Sequence, residues 1–324
     1  MGARGGSAPA GDVGDEVVAH YVKAGDSLRL KAARYLVDNM RRHSYYDSQL
    51  LRQYYSRAYH LGRERDYRKR IALFRELYAE FGDIGAGKQE EEDARSVTAE
   101  SLIANIDSAY TDWRHGRWAR HLSFSEFCEW LLPYRVADEM PERWRGSLSA
   151  IYRPYADALD SCDERAGSAY WAARAVASGL VESGYRMDDK ALPHADVDLP
   201  VSVMMAMGMG ECSNYARLSV YVMRACGIPV ALDFTLNGQT RPIAIGGTPC
   251  CQSAERLCRS WAVTSCPANR SGRPTGWPRC IAARLPINRE VPPHSMKSLA
   301  NFCRLRFPVR SWLTFQTSIS VAAA

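Results

Sequence analysis

The chain has 324 residues, 46% of them apolar and 24% charged, which is typical of a globular protein with about two domains. No run contains the roughly 18 apolar residues that a membrane-spanning helix needs, so no membrane span is predicted. The formal net charge of +6 is unevenly distributed: residues 1–236 hold 30 Lys and Arg against 34 Asp and Glu, whereas residues 237–324 hold 12 against 2. The total charge therefore does not predict nucleic acid as a partner.

The N-terminal part of the sequence is predicted to be disordered at first and then helical. Residues 1–15 are rich in Gly, Ala and Asp, a composition that favours disorder. They contain no apolar segment of the kind found in signal peptides, so no signal peptide is predicted. From Val17 to about Ser183 the hydrophobic pattern is helical nearly throughout, and residues 16–190 are predicted to form a helical accessory domain.

Three segments illustrate how this helical region is divided. Residues 27–40 and 67–81 each carry apolar residues at helical spacing, which predicts two helices with one buried face. Gly82 follows the second of them at the position of a C-terminal cap. Residues 85–101 are charged and poor in apolar residues, which predicts an exposed loop.

Two further helices are predicted before residue 190. Ser123 and Glu126 have the spacing of a capping box, so a helix is predicted to start at Ser123. Residues 163–184 are predicted to form another helix, ended by Gly184. The aromatic residues of the region are predicted to pack in the core rather than to line a ligand groove. They include Tyr45, Tyr46, Tyr54, Tyr55, Trp113, Trp118 and Trp130.

The stretch GMGECSNYARLSVYVMRACGIPVALDFT, residues 208–235, is the most informative part of the sequence. Glycines precede Cys212 and apolar residues follow it at helical spacing, so a helix is predicted to begin at or beside Cys212. Gly227 suits a C-terminal cap, and residues 228–235 are typical of a strand. A thiol at a helix N-terminus faces unpaired backbone N–H groups, which favour the thiolate and can stabilise an oxyanion. The alternative is that Cys212 is an inert buried thiol.

These residues resemble the nucleophile segment of the transglutaminase-like superfamily, part of the papain-like Cys-His-Asp group. The resemblance covers about 30 residues, and the helical region before it is similar to the accessory domain of bacterial members. The matching positions are Gly210, Cys212, Ala216, Arg224, Ala225, Gly227, Ile228 and Pro229.

The resemblance implies a fold and a chemistry. The fold class is α+β, with the mostly helical N-terminal region followed by a truncated transglutaminase-like core in residues 191–236, which holds the nucleophile helix and the first strand. Cys212 is implied to be the catalytic nucleophile, which attacks an amide or ester carbonyl of a protein or peptide substrate and forms a thioester acyl-enzyme. No metal or organic cofactor is implied. Export to the cell envelope is common in the family, but no signal peptide is predicted for this chain. The compartment is therefore left open.

The expected catalytic histidine does not follow the strand. The family pattern has a segment like DFTPQW…GHSWN, whereas this chain reads DFTLNGQTRPIAIGGTPCC from Asp233 to Cys251. The next histidine is His294, more than 80 residues after Cys212, in a segment without a strand pattern. The composition also changes at this point, because residues 237–324 hold six of the ten cysteines and none of the 17 tyrosines.

A single shift of reading frame accounts for these departures together. A one-base deletion near the codons of Thr235 and Leu236 would place residues 237–324 out of frame. In the shifted frame, residues 235–251 allow the Pro after DFT, the Trp and the His-x-Trp-Asn of the family pattern. As written, residues 237–324 are predicted to form an irregular, poorly ordered Arg- and Cys-rich tail.

The tail carries only weak signals for a metal or for nucleic acid. Its cysteines include no CxxC pair or Cys/His alternation, so a zinc site is not predicted. The basic run RLRFPVR is only a generic electrostatic signal for nucleic acid.

The resemblance implies a transglutaminase-like acyl-transfer or amide-hydrolase protein that is inactive as written, because the triad His and Asp are missing. The alternative is a non-catalytic binding or scaffold module that uses the same fold.

Overall fold

A computed structural model describes residues 10–159, 167–187, 197–235 and 316–321, and these residues are mostly helical. The helices are α1 Ala10–Ala24, α2 Ser27–Met40, α3 Gln49–Leu61, α4 Tyr67–Phe81, α5 Asp93–Ser96, α6 Ala99–His115, α7 Phe124–Trp130, α8 Arg145–Asp157, α9 Ala169–Glu182, α10 Val201–Met207 and α11 Cys212–Ala225. The strands are β1 Ser44–Asp47, β2 Gln89–Glu92, β3 Arg186–Met187, β4 Met209–Gly210, β5 Val230–Thr235 and β6 Gln316–Val321. Of the helices in this described part, none combines the length and apolarity that a bilayer crossing requires.

The strands form three small sheets of two strands each. Strands β1 and β2 are antiparallel, β3 and β4 are parallel, and β5 and β6 are antiparallel with Val230 opposite Val321. Strand β5 falls within the predicted strand at residues 228–235, which is confirmed. Strand β6 lies in the segment that the sequence predicts to be irregular, so at least residues 316–321 of that segment have a regular backbone.

Polar side chains define where several helices begin. Asp26 accepts the backbone N–H groups of Leu28 and Arg29 at 3.1 and 2.9 Å, which starts α2. The capping box between Ser123 and Glu126 is present and starts α7, as predicted from their spacing. The predicted helices at 27–40 and 67–81 are confirmed as α2 and α4.

The sequence-based prediction is wrong in two segments. The composition predicts disorder for residues 10–15, but they form the start of α1, where a Cβ added at Gly14 would lie only 2.7 Å from Cγ1 of Val37. The charge pattern predicts an exposed loop at residues 85–101, but they contain β2, α5 and the start of α6. The reason in the second case is that a protein partner rather than water satisfies a key charge: Asp93 is fully buried against Arg135, with 2.6 Å between Oδ1 and Nη1.

The buried side chains form two hydrophobic clusters. The N-terminal cluster is built by α1, α2, α6 and α7 and includes Val17, Leu36, Leu102, Ile106, Trp113 and Phe127. The C-terminal cluster is built by α3, α4, α8, α9, α10, α11 and β5 and includes Leu51, Phe74, Tyr152, Val176, Met204 and Ile228. Helices on both sides of residue 190 contribute to the C-terminal cluster. Of the seven aromatic residues predicted to be core, Tyr45, Tyr54, Tyr55, Trp113 and Trp118 are buried.

Helix α11 lies at the centre of the C-terminal cluster. It contacts α8, α9, α10 and the β5–β6 sheet, and every residue from Asn214 to Ala225 is buried. A helix that is covered on all sides must also place its polar side chains against protein partners, because water cannot reach them.

Candidate functional site

The backbone before Cys212 makes a tight entry into α11. Helix α10 ends at Gly208, whose φ of 60° is the left-handed conformation that glycine adopts most readily. Met209 and Gly210 then pair with β3 as the short strand β4, and α11 begins at Cys212. The prediction that a helix begins at or beside Cys212 is confirmed.

A capping box between Glu211 and Asn214 closes the first turn of α11. Asn214 Oδ1 accepts the backbone N–H of Glu211 at 3.2 Å, and Ser213 Oγ donates to Glu211 Oε1 at 2.9 Å. The first N–H groups of a helix have no partner within the helix, and the helix dipole adds positive potential there. The backbone at Cys212 can therefore favour a thiolate and can donate to an oxyanion formed next to it.

Two buried tyrosines lie next to this turn. Tyr185 is 3% exposed, and its hydroxyl would lie 2.7 Å from a Cβ added at Gly210. The rings of Tyr185 and Tyr215 are 5.8 Å apart between centroids. Neither hydroxyl has a hydrogen-bond partner among the described residues. Burial raises the pKa of both phenols, that of Tyr215 to about 12, so both stay protonated at neutral pH.

A buried cluster of charges supports the next turns of α11. We call it the arginine–carboxylate cluster, and it consists of Asp93, Arg135, Glu139, Asp198 and Arg217. Arg217 Nη1 lies 3.0 Å from Asp198 Oδ1 and 3.6 Å from Glu139 Oε2. Burial alone would raise the pKa of Glu139, but Arg135 and Arg217 hold it below its usual value. The carboxylate is therefore charged at neutral pH.

Glu139 also organises the loop that faces α11. Its Oε1 accepts the backbone N–H of Val136 at 2.9 Å and the hydroxyl of Tyr221, which projects from α11. Its carboxylate also accepts the N–H of Ala137 at 3.1 Å. One buried carboxylate thus joins the residues after α7 to the middle of α11, and removing it would leave Arg217 less completely paired.

The C-terminal end of α11 is held by arginines. Arg224 is fully buried, and its guanidinium donates to the carbonyl oxygens of Trp130 and Val230, both at 3.2 Å, and of Arg135 at 3.3 Å. Arg145 donates to the carbonyl of Arg224 at 2.8 Å, which caps the last turn. Burial lowers the pKa of Arg145 to about 9 and that of Arg224 to about 10, so both are charged at neutral pH.

A tight turn follows this end of the helix. Arg153 Nη2 donates to the carbonyl of Ala225 at 3.1 Å and to both carboxylate oxygens of Asp112 at 2.9 and 3.0 Å. Gly227 has φ of 75°, and a Cβ added there would lie 2.8 Å from the carboxyl carbon of Asp112. The Gly of the R-A-x-G-I-P element is therefore required both by the backbone and by the space available.

No histidine in the described residues complements Cys212. His20, His43, His60, His115 and His121 lie in this part of the chain, and none makes a hydrogen bond or ring contact with residues 208–215. His43 faces Tyr134 at 3.3 Å, and burial lowers its pKa to about 3. His294 lies outside the described residues. Within the same residues, no three His, Cys, Asp or Glu side chains are grouped to hold a metal ion.

Sequence reasoning identified Cys212 but missed the groups around it. Arg217 and Arg224 are seven residues apart and therefore share one face of a helix that is otherwise mostly apolar, which was a readable signal for buried charge partners. Tyr185 carried no such signal, because its position depends on the pairing of β3 with β4. That pairing involves only two residues on each strand and has no recognisable pattern.

Comparison with known proteins adds no relative. The chain matches no protein-family model, no curated protein and no solved structure. The transglutaminase-like resemblance is therefore carried by the residues between Gly210 and Pro229 alone.

Proposed function

We propose that the chain is a transglutaminase-like protein whose nucleophile is Cys212 and whose substrate class is protein or peptide acyl groups. The observation that carries this proposal is the position of Cys212 as the first residue of the 14-residue helix α11. A thiol at such a position faces N–H groups of the first turn that have no partner within the helix, and these lower the pKa of a cysteine and stabilise negative charge next to it.

The structural roles of the motif residues support the proposal. Arg224 donates to the carbonyls of Trp130, Arg135 and Val230, and Gly227 fits against Asp112, so two residues of the R-A-x-G-I-P element fix the far end of α11. Gly210 leaves room for the hydroxyl of Tyr185 and for Asn214. The element thus holds the helix that carries Cys212, which is what a nucleophile helix requires.

The proposed protein is inactive in turnover as written. A Cys-His-Asp enzyme needs its histidine to protonate the leaving amine and then to activate the water or amine that releases the acyl group. No described histidine makes a hydrogen bond or ring contact with residues 208–215. In this proposal the base and its orienting carboxylate were lost through a shift of reading frame near codon 235. The coding DNA tests that part: undoing one insertion or deletion there must extend an open frame past codon 324.

The reactivity of Cys212 tests the proposed nucleophile. The folded full-length chain is treated with chloroacetamide at several pH values, and labelling is followed by peptide mass spectrometry. We expect Cys212 to react faster at pH 7 than a free cysteine thiol, with an apparent pKa below the usual value of about 8.5. Cys226 is the internal control, because it is buried at the other end of the same helix and burial raises the pKa of its thiol to about 12. It should remain unlabelled.

The same labelling experiment distinguishes the proposed nucleophile from a second candidate function. A non-catalytic binding or scaffold module is favoured by the absence of a contacting histidine in the described residues. If Cys212 of the folded chain reacts no faster than free cysteine, the nucleophile proposal fails and the scaffold function is supported. A Cys212→Ala variant confirms the site of labelling, since it should lose the fast reaction and keep the cooperative unfolding of the parent chain.

A further inference from the structure

The hydroxyl of Tyr185 is one of two buried phenol groups near the N-terminus of α11 that have no hydrogen-bond partner in the described part of the chain, the other being that of Tyr215. The Tyr185 hydroxyl is not exposed to solvent. Its ring is held by the end of α9, through the bond from the N–H of Tyr185 to the carbonyl of Leu180 at 3.3 Å, and by the ring of Tyr215. A phenylalanine would fill the same space without burying an unpaired polar atom.

The position of this hydroxyl points to the reacting end of the helix. It lies against Gly210, two residues before Cys212, and a Cβ on Gly210 would be 2.7 Å from the oxygen. The N–H of the next residue, Arg186, is bonded to the carbonyl of Gly208 at 3.0 Å, so strand pairing fixes Tyr185 to the entry of α11. Backbone N–H groups of the first turn and the phenol O–H are thus donors at the same end of the helix.

We propose that the hydroxyl of Tyr185 donates a hydrogen bond to the acyl oxygen when a carbonyl carbon is bonded to the sulfur of Cys212. This inference rests on the proposed function and names a catalytic residue that the sequence did not identify. A donor without an acceptor in the free protein gains its bond only as charge develops on the substrate oxygen. Such a bond accelerates the chemical step, because it stabilises the transition state and not the free enzyme.

The step is balanced without a histidine when the leaving group needs no proton. The thiolate of Cys212 attacks the carbonyl carbon, an S–C bond forms, and the carbonyl electron pair moves to oxygen, where Tyr185 donates. The oxygen pair then returns, the bond to the leaving group breaks, and a thioester remains. With p-nitrophenyl acetate the leaving group departs as p-nitrophenolate, so the reaction yields the acetyl thioester of Cys212 and one phenolate.

The test compares two reactions of Cys212 in the full-length chain. Acetylation by p-nitrophenyl acetate passes through an oxyanion, and its rate is measured from the release of p-nitrophenolate. Alkylation by chloroacetamide displaces chloride and forms no oxyanion at the attacked carbon. Tyr185→Phe is expected to slow acetylation of Cys212 by roughly 10- to 100-fold and to leave its alkylation unchanged within about 2-fold. Its thermal midpoint should equal or exceed that of the parent chain, because no hydrogen bond is lost.

Tyr215→Phe is the matched control, since it removes the other unpartnered hydroxyl of the ring pair from α11 itself. It should leave both rates unchanged. The inference is overturned if folded Tyr185→Phe is acetylated at the parent rate, or if its acetylation and alkylation are slowed equally. It is also overturned if Tyr215→Phe slows acetylation as much as Tyr185→Phe does, or if Tyr185→Phe has a lower thermal midpoint than the parent chain. If Cys212 of the parent chain reacts with neither reagent faster than free cysteine, the proposed function falls and the inference with it. If Cys212 of the parent chain reacts faster than free cysteine but Tyr185→Phe does not slow its acetylation, only the inference fails and the proposed function stands.

Discussion

The two ends of helix α11 are stabilised in different ways. At the C-terminal end, Arg145 and Arg153 donate to the last carbonyls of the helix, and Arg224 donates from the helix to the loop around it. At the N-terminal end, the hydroxyls of Tyr185 and Tyr215 have no partner among the described residues. The C-terminal end therefore anchors the helix, whereas at the N-terminal end two buried phenol hydroxyls make no hydrogen bond to the described residues.

The electrostatics of the helix agree with this division. Cations at the C-terminal end complement the negative end of the helix dipole, and their hydrogen bonds satisfy carbonyls that have no partner within the helix. The arginine–carboxylate cluster lies between the two ends, where Glu139 and Asp198 pair with Arg217 of the helix. The positive end of the dipole at Cys212 is left for a thiolate or an oxyanion, as the proposed function requires.

The largest expected effect comes from breaking the anchored end with Arg224→Met. The substitution keeps most of the side-chain volume but leaves the buried carbonyls of Trp130, Arg135 and Val230 without their donor. We expect the free energy of unfolding to fall by about 3 to 5 kcal/mol, measured by urea denaturation. Arg57→Met is the control, because the pair between Arg57 and Glu80 is exposed and its loss should change the free energy of unfolding little. Similar losses in the two variants would contradict the anchoring role.

A smaller effect is expected at the turn that follows the anchored end. Gly227→Ala places a Cβ 2.8 Å from the carboxyl carbon of Asp112 and forces alanine into a φ of 75°. We expect a loss of about 2 to 4 kcal/mol in the free energy of unfolding. Gly25→Ala separates the two causes, since Gly25 has a φ of 68° but no atom within 4 Å of the added Cβ. It should cost only about 1 to 2 kcal/mol, and an equal cost at both positions would show that the Asp112 contact is unimportant.

The sequence predicts the elements of this region better than the contacts between them. The start of α11 at Cys212, the turn at Gly227 and strand β5 all follow from local patterns of glycine and apolar residues. The burial of Asp93 was missed because a run of Glu and Asp reads as solvent-exposed unless its distant partner, Arg135, is known. Tyr185 was missed for the same reason: its role depends on where a chain segment 25 residues earlier meets Gly210.

The arginine–carboxylate cluster, between the two ends of α11, differs from the C-terminal end of the helix in how its stability depends on pH. The carbonyl oxygens that hold Arg224 do not titrate in the physiological range, whereas Asp138, a carboxylate next to Arg135, does. Asp138 lies at the edge of the cluster, with Oδ1 3.8 Å from Arg135 Nη2 and its N–H bonded to Asp198 Oδ2 at 3.2 Å. Burial raises its pKa to about 6, although its side chain keeps 33% of its exposure. Asp138 is therefore the group that should titrate under mild conditions.

The sign of the effect follows from the raised pKa. The folded state binds the proton of Asp138 more tightly than the unfolded state, whose pKa is about 3.9, so folding is favoured at low pH by this group. That contribution is fully present below about pH 4 and is lost as the pH rises to about 6.

Asp138→Asn removes the titration, so the stability of this variant relative to the parent chain should increase between pH 4 and pH 6.5. The increase should be at most about 1 kcal/mol, because Asp138 is partly exposed. Urea denaturation at both pH values measures the difference, and a constant difference between the two chains would show that the cluster is not titrated through Asp138. Arg224→Met, measured in the same way, should keep a constant difference from the parent chain, because the carbonyls at the anchored end carry no proton to lose.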